Sequence, residues 1–223
     1  MEHPHNTQLL GKVAFFSSLA MLILIPLQIL IFAIEQPPQT AELWLALFEK
    51  HWFLGLIEMD LLYIIDNTLV ALIYLALYHL LKDQKRALMQ IALLLGLLGI
   101  AAYYSSNPAF ELWEVQKQYA ATSTVEVQQE LLVIANSLLL QWRGTAFVTY
   151  YILNGICLIL ISIAFLKSSY PKRIGIVGLI SGLLMSIPST FGLVGMVFSL
   201  LSLVPWMLFL ALLVPHFRRM GTT

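Results

Sequence analysis

Asp60, Asp66 and Asn67 interrupt an otherwise apolar run from Trp52 to Leu81, WFLGLIEMDLLYIIDNTLVALIYLALYHLL, which also carries Glu58. An ionisable side chain at the centre of a bilayer costs about 2.5 to 3.5 kcal/mol on insertion scales, so it faces protein or water and often marks function. Read as one helix, Asp60, Tyr63, Asn67, Tyr74 and Tyr78 fall on one face, and Glu58 and Asp66 point elsewhere. Such a stripe can hold a small polar ligand or a lipid headgroup, and a mid-membrane acid such as Asp66 can carry a proton or cation. Asp60 and Asp66 are about 120° apart around a helix, so they do not make a close carboxylate dyad by themselves.

Partners for these groups must come from other segments. Gln28 in the first apolar run, and Thr149 and Asn154 in the fourth, fall in the same outer half of the membrane as Glu58 and Asp60. Arg143, at the mouth of the fourth run, is the one basic group placed to meet either acid. The expectation is a ligand-binding polar cavity in the outer half of a helical bundle. The competing reading is structural: Arg143 pairs with an acid, while Asn67, Asn154 and Asp66 form an interhelical cluster worth about 0.6 to 2 kcal/mol per bond.

Other chemistries find less support. His51 and His79 are separated by about 42 Å of helix rise and cannot share a ligand within one bundle. His79 and His216 fall near one surface but have no carboxylate cluster beside them, so neither a metal nor a cofactor is expected. His3 and His5 read as part of a disordered tail. Cys157 is the sole cysteine, which excludes an intrachain disulfide, and the serines near Pro188 have no histidine partner. No catalytic residue is assigned, and an intramembrane lipid-modifying enzyme is the weakest reading. A small proton- or cation-coupled transporter using Asp66 is the main alternative to binding, although no internal repeat or matched pair of broken helices is visible.

The elements that position these residues are helices in a membrane. The chain is 60% hydrophobic and 11% charged, which excludes an ordinary soluble domain. One all-α membrane domain over residues 1–223 is expected, with six transmembrane helices at about 13–34, 53–81, 87–105, 145–166, 174–190 and 193–216. Thirty residues of helix from Trp52 would measure roughly 45 Å against a hydrocarbon core of about 30 Å, so that span must tilt or protrude. Pro26 is expected to kink the first span. Thr40 to His51 reads as a short interfacial helix. Residues 107–143 read as an extracellular helical hairpin between the third and fourth spans, opened by Asn107 and Pro108 and divided at the Ser123 and Glu126 capping pattern. Its apolar residues, Phe110, Trp113, Leu131, Leu132, Ile134, Ala135, Leu138 and Leu139, are too few for a core and need the bundle surface. Small-residue stripes, Gly175, Gly178, Gly182 and Ser186, then Gly192, Gly195, Ser199 and Ser202, are packing surfaces. Packing within one chain is expected, and a homo-oligomer is the other use of such stripes.

Charge orients the spans. Lys12, Lys82, Lys85, Arg86, Lys167, Lys172, Arg173, Arg218 and Arg219 fall on one side, with Lys50, Lys117 and Arg143 on the other. This split predicts both termini in the cytoplasm. Seven acids, Glu35 among them, then face outward.

The runs IDNTLVALIYLALYHLL, NPAFELWEVQKQYAATST, RGTAFVTYYILNG and LVPWMLFLALL, which lie between Glu58 and the C-terminus, resemble a bacterial family of six-helix membrane proteins, domain of unknown function 4386. The resemblance implies a bacterial plasma (inner) membrane protein and a fold. It implies no activity and no site residue. Membrane lipids are the expected partners, with a small polar ligand or lipid headgroup in the cavity and no nucleic acid. The sequence thus points to a non-enzymatic binding or sensing module.

Overall fold

The structure, a computed structural model, describes residues 4–34 and 37–222. Glu35 therefore lies outside the described residues, as do His3 and the side chain of His5. All regular elements among the described residues are helices: α1 (Pro4–Ile34), α2 (Ala41–Glu58), α3 (Leu61–Ser106), α4 (Ala109–Ala121), α5 (Val125–Trp142), α6 (Thr145–Leu166), α7 (Lys172–Met185) and α8 (Gly192–Met220). Four stretches, Thr7–Ile34, Ala41–Ala121, Val125–Leu166 and Gly192–Met220, contain helix long and apolar enough to cross a membrane. The chain is an integral membrane protein.

α3 is a hairpin of two limbs. Lys85 leaves the helical region (φ −144°, ψ 48°), and the chain doubles back. The reversal brings Gly96 against the ring of Tyr74 and places the Thr68 and Tyr104 hydroxyls 2.8 Å apart. α6 packs against α3, α7 against α6, and α8 closes on both α7 and α1. One end of the bundle gathers the termini and the loops. Gly11 lies against the backbone of Gly221, Gln84 accepts the Ser169 N–H at 3.0 Å, and the Tyr170 and His216 rings stand 5.3 Å apart. The nine cations grouped by the charge pattern belong to these segments.

The apolar run from residue 53 to 81 is not one helix, which corrects the sequence reading. α2 stops at Glu58, Met59 caps it, and Asp60 takes a left-handed backbone conformation (φ 66°), one that aspartate tolerates better than most residues with a side chain. The physical reason is length. About 21 residues from Leu61 to Leu81 rise roughly 31 Å, close to the thickness of a hydrocarbon core, whereas the whole run was too long. Asn107, from the far end of the α3 hairpin, clamps the corner by donating from Nδ2 to the Met59 carbonyl at 2.7 Å. Its Oδ1 accepts the Ala109 N–H at 3.0 Å and so also starts α4.

The residues released from the span join the hairpin. α2, which breaks at His51 (φ −147°, ψ 74°) where the short helix expected from Thr40 ends, forms with α4 and α5 a helical cap with its own core, in which Trp44, Phe48, Leu56, Met59, Leu112 and Trp142 are buried. α2, and not the bundle surface, thus supplies most of the apolar cover for α4 and α5. Leu131 and Ala135 are buried as expected, whereas Phe110 and Ile134 are exposed. α1 runs through Pro26 without a break. α7 is 14 residues long and ends at Met185, short of the expected 190, before a turn that leads into α8. Gly175, Gly178 and Gly182 press on Leu166, Ser162 and Ile159 of α6, so this stripe packs within the chain.

Candidate functional site

The corner at Asp60 and the first limb of α3 frame the upper part of the bundle, and there the helices separate around a cavity of about 920 Å³. Its wall takes Gln28 from α1, Asp60, Tyr63, Asp66 and Asn67 from the α2–α3 corner and α3, and Asn154 from α6. Arg143 lies at the cap side of the same cavity. Seven of the nine residues expected from sequence therefore meet around one space. Glu58 and Thr149 do not line it: Glu58 is buried at the end of α2, and Thr149 is partly exposed on α6.

Local helix geometry explains which groups point inward. The Asp60 backbone ends one helix and starts another, so its side chain does not continue the face of Tyr63 and Tyr74. Asp66, read from spacing as pointing away, faces the cavity beside Asn67. Tyr78 packs instead against the main core below. Asp66 Oδ2 accepts from Gln28 Nε2 at 2.6 Å, a bond that ties α1 to α3. Asp60 Oδ2 accepts from the Trp142 indole N–H at 2.6 Å, a bond that ties the cap to the bundle.

Gln28 and Asp66 do satisfy one another across helices, but the particular bonds of the structural reading do not form. Asn67 and Asn154 each donate from Nδ2 to a carbonyl one turn earlier on their own helices, Tyr63 at 2.9 Å and Tyr150 at 3.2 Å. Among the described residues no hydrogen bond joins Asn67, Asn154 and Asp66 to one another. Arg143 lies over the Trp142 ring, 5.0 Å from its centroid, and forms no ion pair with Asp60 among the described residues. Among the lining residues, Asp66 Oδ1, Asn67 Oδ1, Asn154 Oδ1, Tyr103 Oη, Thr190 Oγ1 and Ser199 Oγ are buried with no hydrogen-bond partner. Buried polar atoms are paired in the great majority of cases, and leaving one unmade costs about 1 to 3 kcal/mol, so six on residues around one space are unusual.

Aromatic residues complete the wall and were missed in the sequence. Tyr103 stacks obliquely on Tyr150 at 4.9 Å, and Phe147 lies 5.1 Å from Tyr151. Trp206 of α8 and Trp142 of the cap join the lining. The tandem tyrosines in TYYILNG were a visible signal, since a phenol inside an apolar span needs a polar place for its hydroxyl. Trp142 had the weaker signal of lying beside Arg143 at a chain junction. At the other end of the chain, His216 packs on Tyr170, while His79 offers Nδ1 to the Leu75 carbonyl at 3.1 Å. Among the described residues no three His, Cys, Asp or Glu side chains come together in a metal-binding group.

Comparison with known proteins gives a family and no activity. No curated protein and no solved structure matches the chain. The family model described as "Domain of unknown function (DUF4386)" matches residues 59–217, a segment that starts at the Met59 corner and contains the α3 hairpin, α6, α7 and nearly all of α8. The chain belongs to the DUF4386 family.

Proposed function

We propose that this protein is a binding module of the bacterial inner membrane that holds a small polar ligand or lipid headgroup in the cavity beneath its cap. The carrying observation is the group of six unpartnered, buried polar atoms on residues lining a space of about 920 Å³. In this reading the chain crosses the bilayer six times, through α1, both limbs of α3, α6, α7 and α8. The cap lies outside and both termini lie in the cytoplasm. The cation-rich end agrees with the inward bias of lysine and arginine. α7 rises only about 21 Å, so the turn that follows it stays within the outer half of the membrane. Ser189 and Thr190 of that turn line the cavity, and irregular backbone at such depth is tolerated where it borders a polar space.

The packing below the cavity favours binding over transport. Leu77, Leu81, Met89, Phe165, Phe209 and Phe217 are each at most 1% exposed, which closes the bundle towards the termini. Native mass spectrometry of the full chain, released gently from detergent, tests the reading. A retained stoichiometric mass that disappears in Asp66→Asn, with the unfolding midpoint kept, is the expected result. A bare protein in every lipid condition overturns it. Proteoliposomes showing a pH-dependent flux abolished by Asp66→Asn would make the protein a transporter instead. Topology has its own measurement: with Cys157→Ala as background, Ser123→Cys is expected to react with an impermeant maleimide from outside intact cells, and Ser168→Cys only after lysis.

A further inference from the structure

We propose that the occupant carries an organic ammonium group, seated at Asp66; this assignment rests on the binding reading above. Three independent features of the wall select the same chemistry. The first is charge. Asp60, Asp66 and Arg143 are the charged residues of the lining. Arg143 is exposed and stacked on Trp142 at the cap side, where Trp142 also serves Asp60. Asp66 sits about 9 Å of helix rise further in and has no cationic side chain paired with it among the described residues. A cation entering from the cap side meets this acid last.

The second feature is hydrogen-bonding sense. Of the unpartnered buried atoms on lining residues, Asp66 Oδ1, Asn67 Oδ1 and Asn154 Oδ1 can only accept, and Tyr103 Oη, Thr190 Oγ1 and Ser199 Oγ are hydroxyls that can accept as well as donate. Each asparagine gives one amide N–H to a carbonyl of its own helix and keeps its oxygen without a partner. An ammonium brings donors and no acceptor, so it answers this wall. A phosphate or carboxylate could accept from the hydroxyls but would set a second negative charge beside Asp66, and its one charged counterpart in the lining is Arg143, at the rim.

The third feature is the rings. Tyr63, Tyr103, Phe147, Tyr150, Tyr151 and Trp206 surround the same space. Aromatic faces attract cations, most strongly where water is excluded, and a methylated ammonium is held by rings even when it has few N–H groups to donate. A carboxylate with several aromatic walls is therefore a site for an amine or quaternary amine. The source is either a free organic amine or the headgroup of an aminolipid.

The test uses the full chain and four probes: choline, ethanolamine, phosphatidylethanolamine and phosphatidylglycerol. Native mass spectra are recorded from nanodiscs of phosphatidylglycerol alone, from the same discs with choline or ethanolamine added, and from discs containing phosphatidylethanolamine. One amine-bearing molecule per chain is expected, with binding at least tenfold weaker in Asp66→Asn. Retention of choline or ethanolamine identifies a free amine as the source, and retention of phosphatidylethanolamine alone identifies the lipid. Should Asp66→Asn fail to fold, Tyr150→Leu decides: it removes a ring while keeping the acid and is expected to weaken the same adduct severalfold. An amine adduct unchanged in the folded variant overturns the assignment. A phosphatidylglycerol adduct lost in Arg143→Ala, with no amine retained, also overturns it while leaving the binding reading intact. No adduct with any probe overturns both.

Discussion

In the cap, the Trp142 and Trp44 rings meet edge to face at 5.7 Å, Phe48 lies 6.3 Å from Trp44, and the rings are buried against one another. Immediately beneath, Tyr63, Phe147, Tyr151 and Trp206 stand around open volume. The two regions share an acid-bearing corner, yet Asp60 is met by an indole N–H from the cap, while one oxygen of Asp66 has no partner. Aromatic content alone therefore does not distinguish a core from a binding wall. The difference lies in whether the polar atoms beside the rings have found partners within the chain.

Trp142→Ala should break this comparison most severely, because Trp142 belongs to both regions. It removes a buried ring from the cap core and the donor from Asp60, and the expected loss is about 3 to 5 kcal/mol, as for other buried aromatics cut to alanine. Thermal unfolding in detergent, followed by circular dichroism, reads the effect, and trypsin cleavage near Lys117 reports whether the cap opens first. Trp142→Phe separates the two contributions: an aromatic ring remains and Asp60 loses its donor, for about 1 to 3 kcal/mol. Equal midpoints for the Trp142→Phe variant and the wild-type chain would show that the Asp60 bond contributes nothing to the junction.

Much of this arrangement was legible in the sequence because hydropathy and charge report on solvent, and a membrane is a simple solvent. The second limb of the α3 hairpin, α6 and α8 are helices where their apolar runs lie, and nine of the twelve cations belong to the segments gathered at one end. The corner at Met59 and Asp60 was not legible, since WFLGLIEMDLLYII contains neither glycine nor proline at the break. A tertiary clamp, Asn107 on the Met59 carbonyl, helps hold the chain there, and no local pattern announces a partner so distant in sequence. The direction of Asp66 was hidden for another reason: within α3 it lies only about 60° around the helix from Tyr63, and the cavity wall is broad enough to take in both.

The contrast sharpens between packed and open parts of the bundle. Gly178→Val should lower stability by about 1 to 3 kcal/mol, because an added Cβ meets the ring of Phe209 and the Ser162 hydroxyl where α7 crosses α6. Met185→Phe, on the same helix but in the cavity wall, should leave the unfolding midpoint close to wild type because the added volume enters open space. Equal losses from the two would mean that the cavity is as tightly filled as the α6–α7 contact. A smaller change is expected from Gln28→Leu, which strips Asp66 Oδ2 of its donor. The expected loss is about 1 kcal/mol, at the low end of the range for an orphaned acceptor, because a group bordering a cavity can recruit water. A larger loss would show that Asp66 is dry.

The least effect is expected on the outer surface of the cap. Glu114 lies 2.5 Å from the Lys117 ammonium, which also rests over the Trp113 ring at 4.8 Å. The hydrogen bond from Lys117, with help from Gln118, holds the Glu114 carboxyl below its ordinary value. A lowered carboxyl favours the folded state above its unfolded value, and that contribution fades as pH falls through the folded one. Both groups are open to water, however, and exposed pairs contribute little. Glu114→Gln should therefore be nearly indistinguishable from wild type in its midpoint at pH 7 and coincide with it at pH 3. If the gap at pH 7 instead rivals that of Trp142→Phe, surface charge is holding the cap, and the division drawn here between a ring-packed cap and an open polar cavity loses its energetic basis.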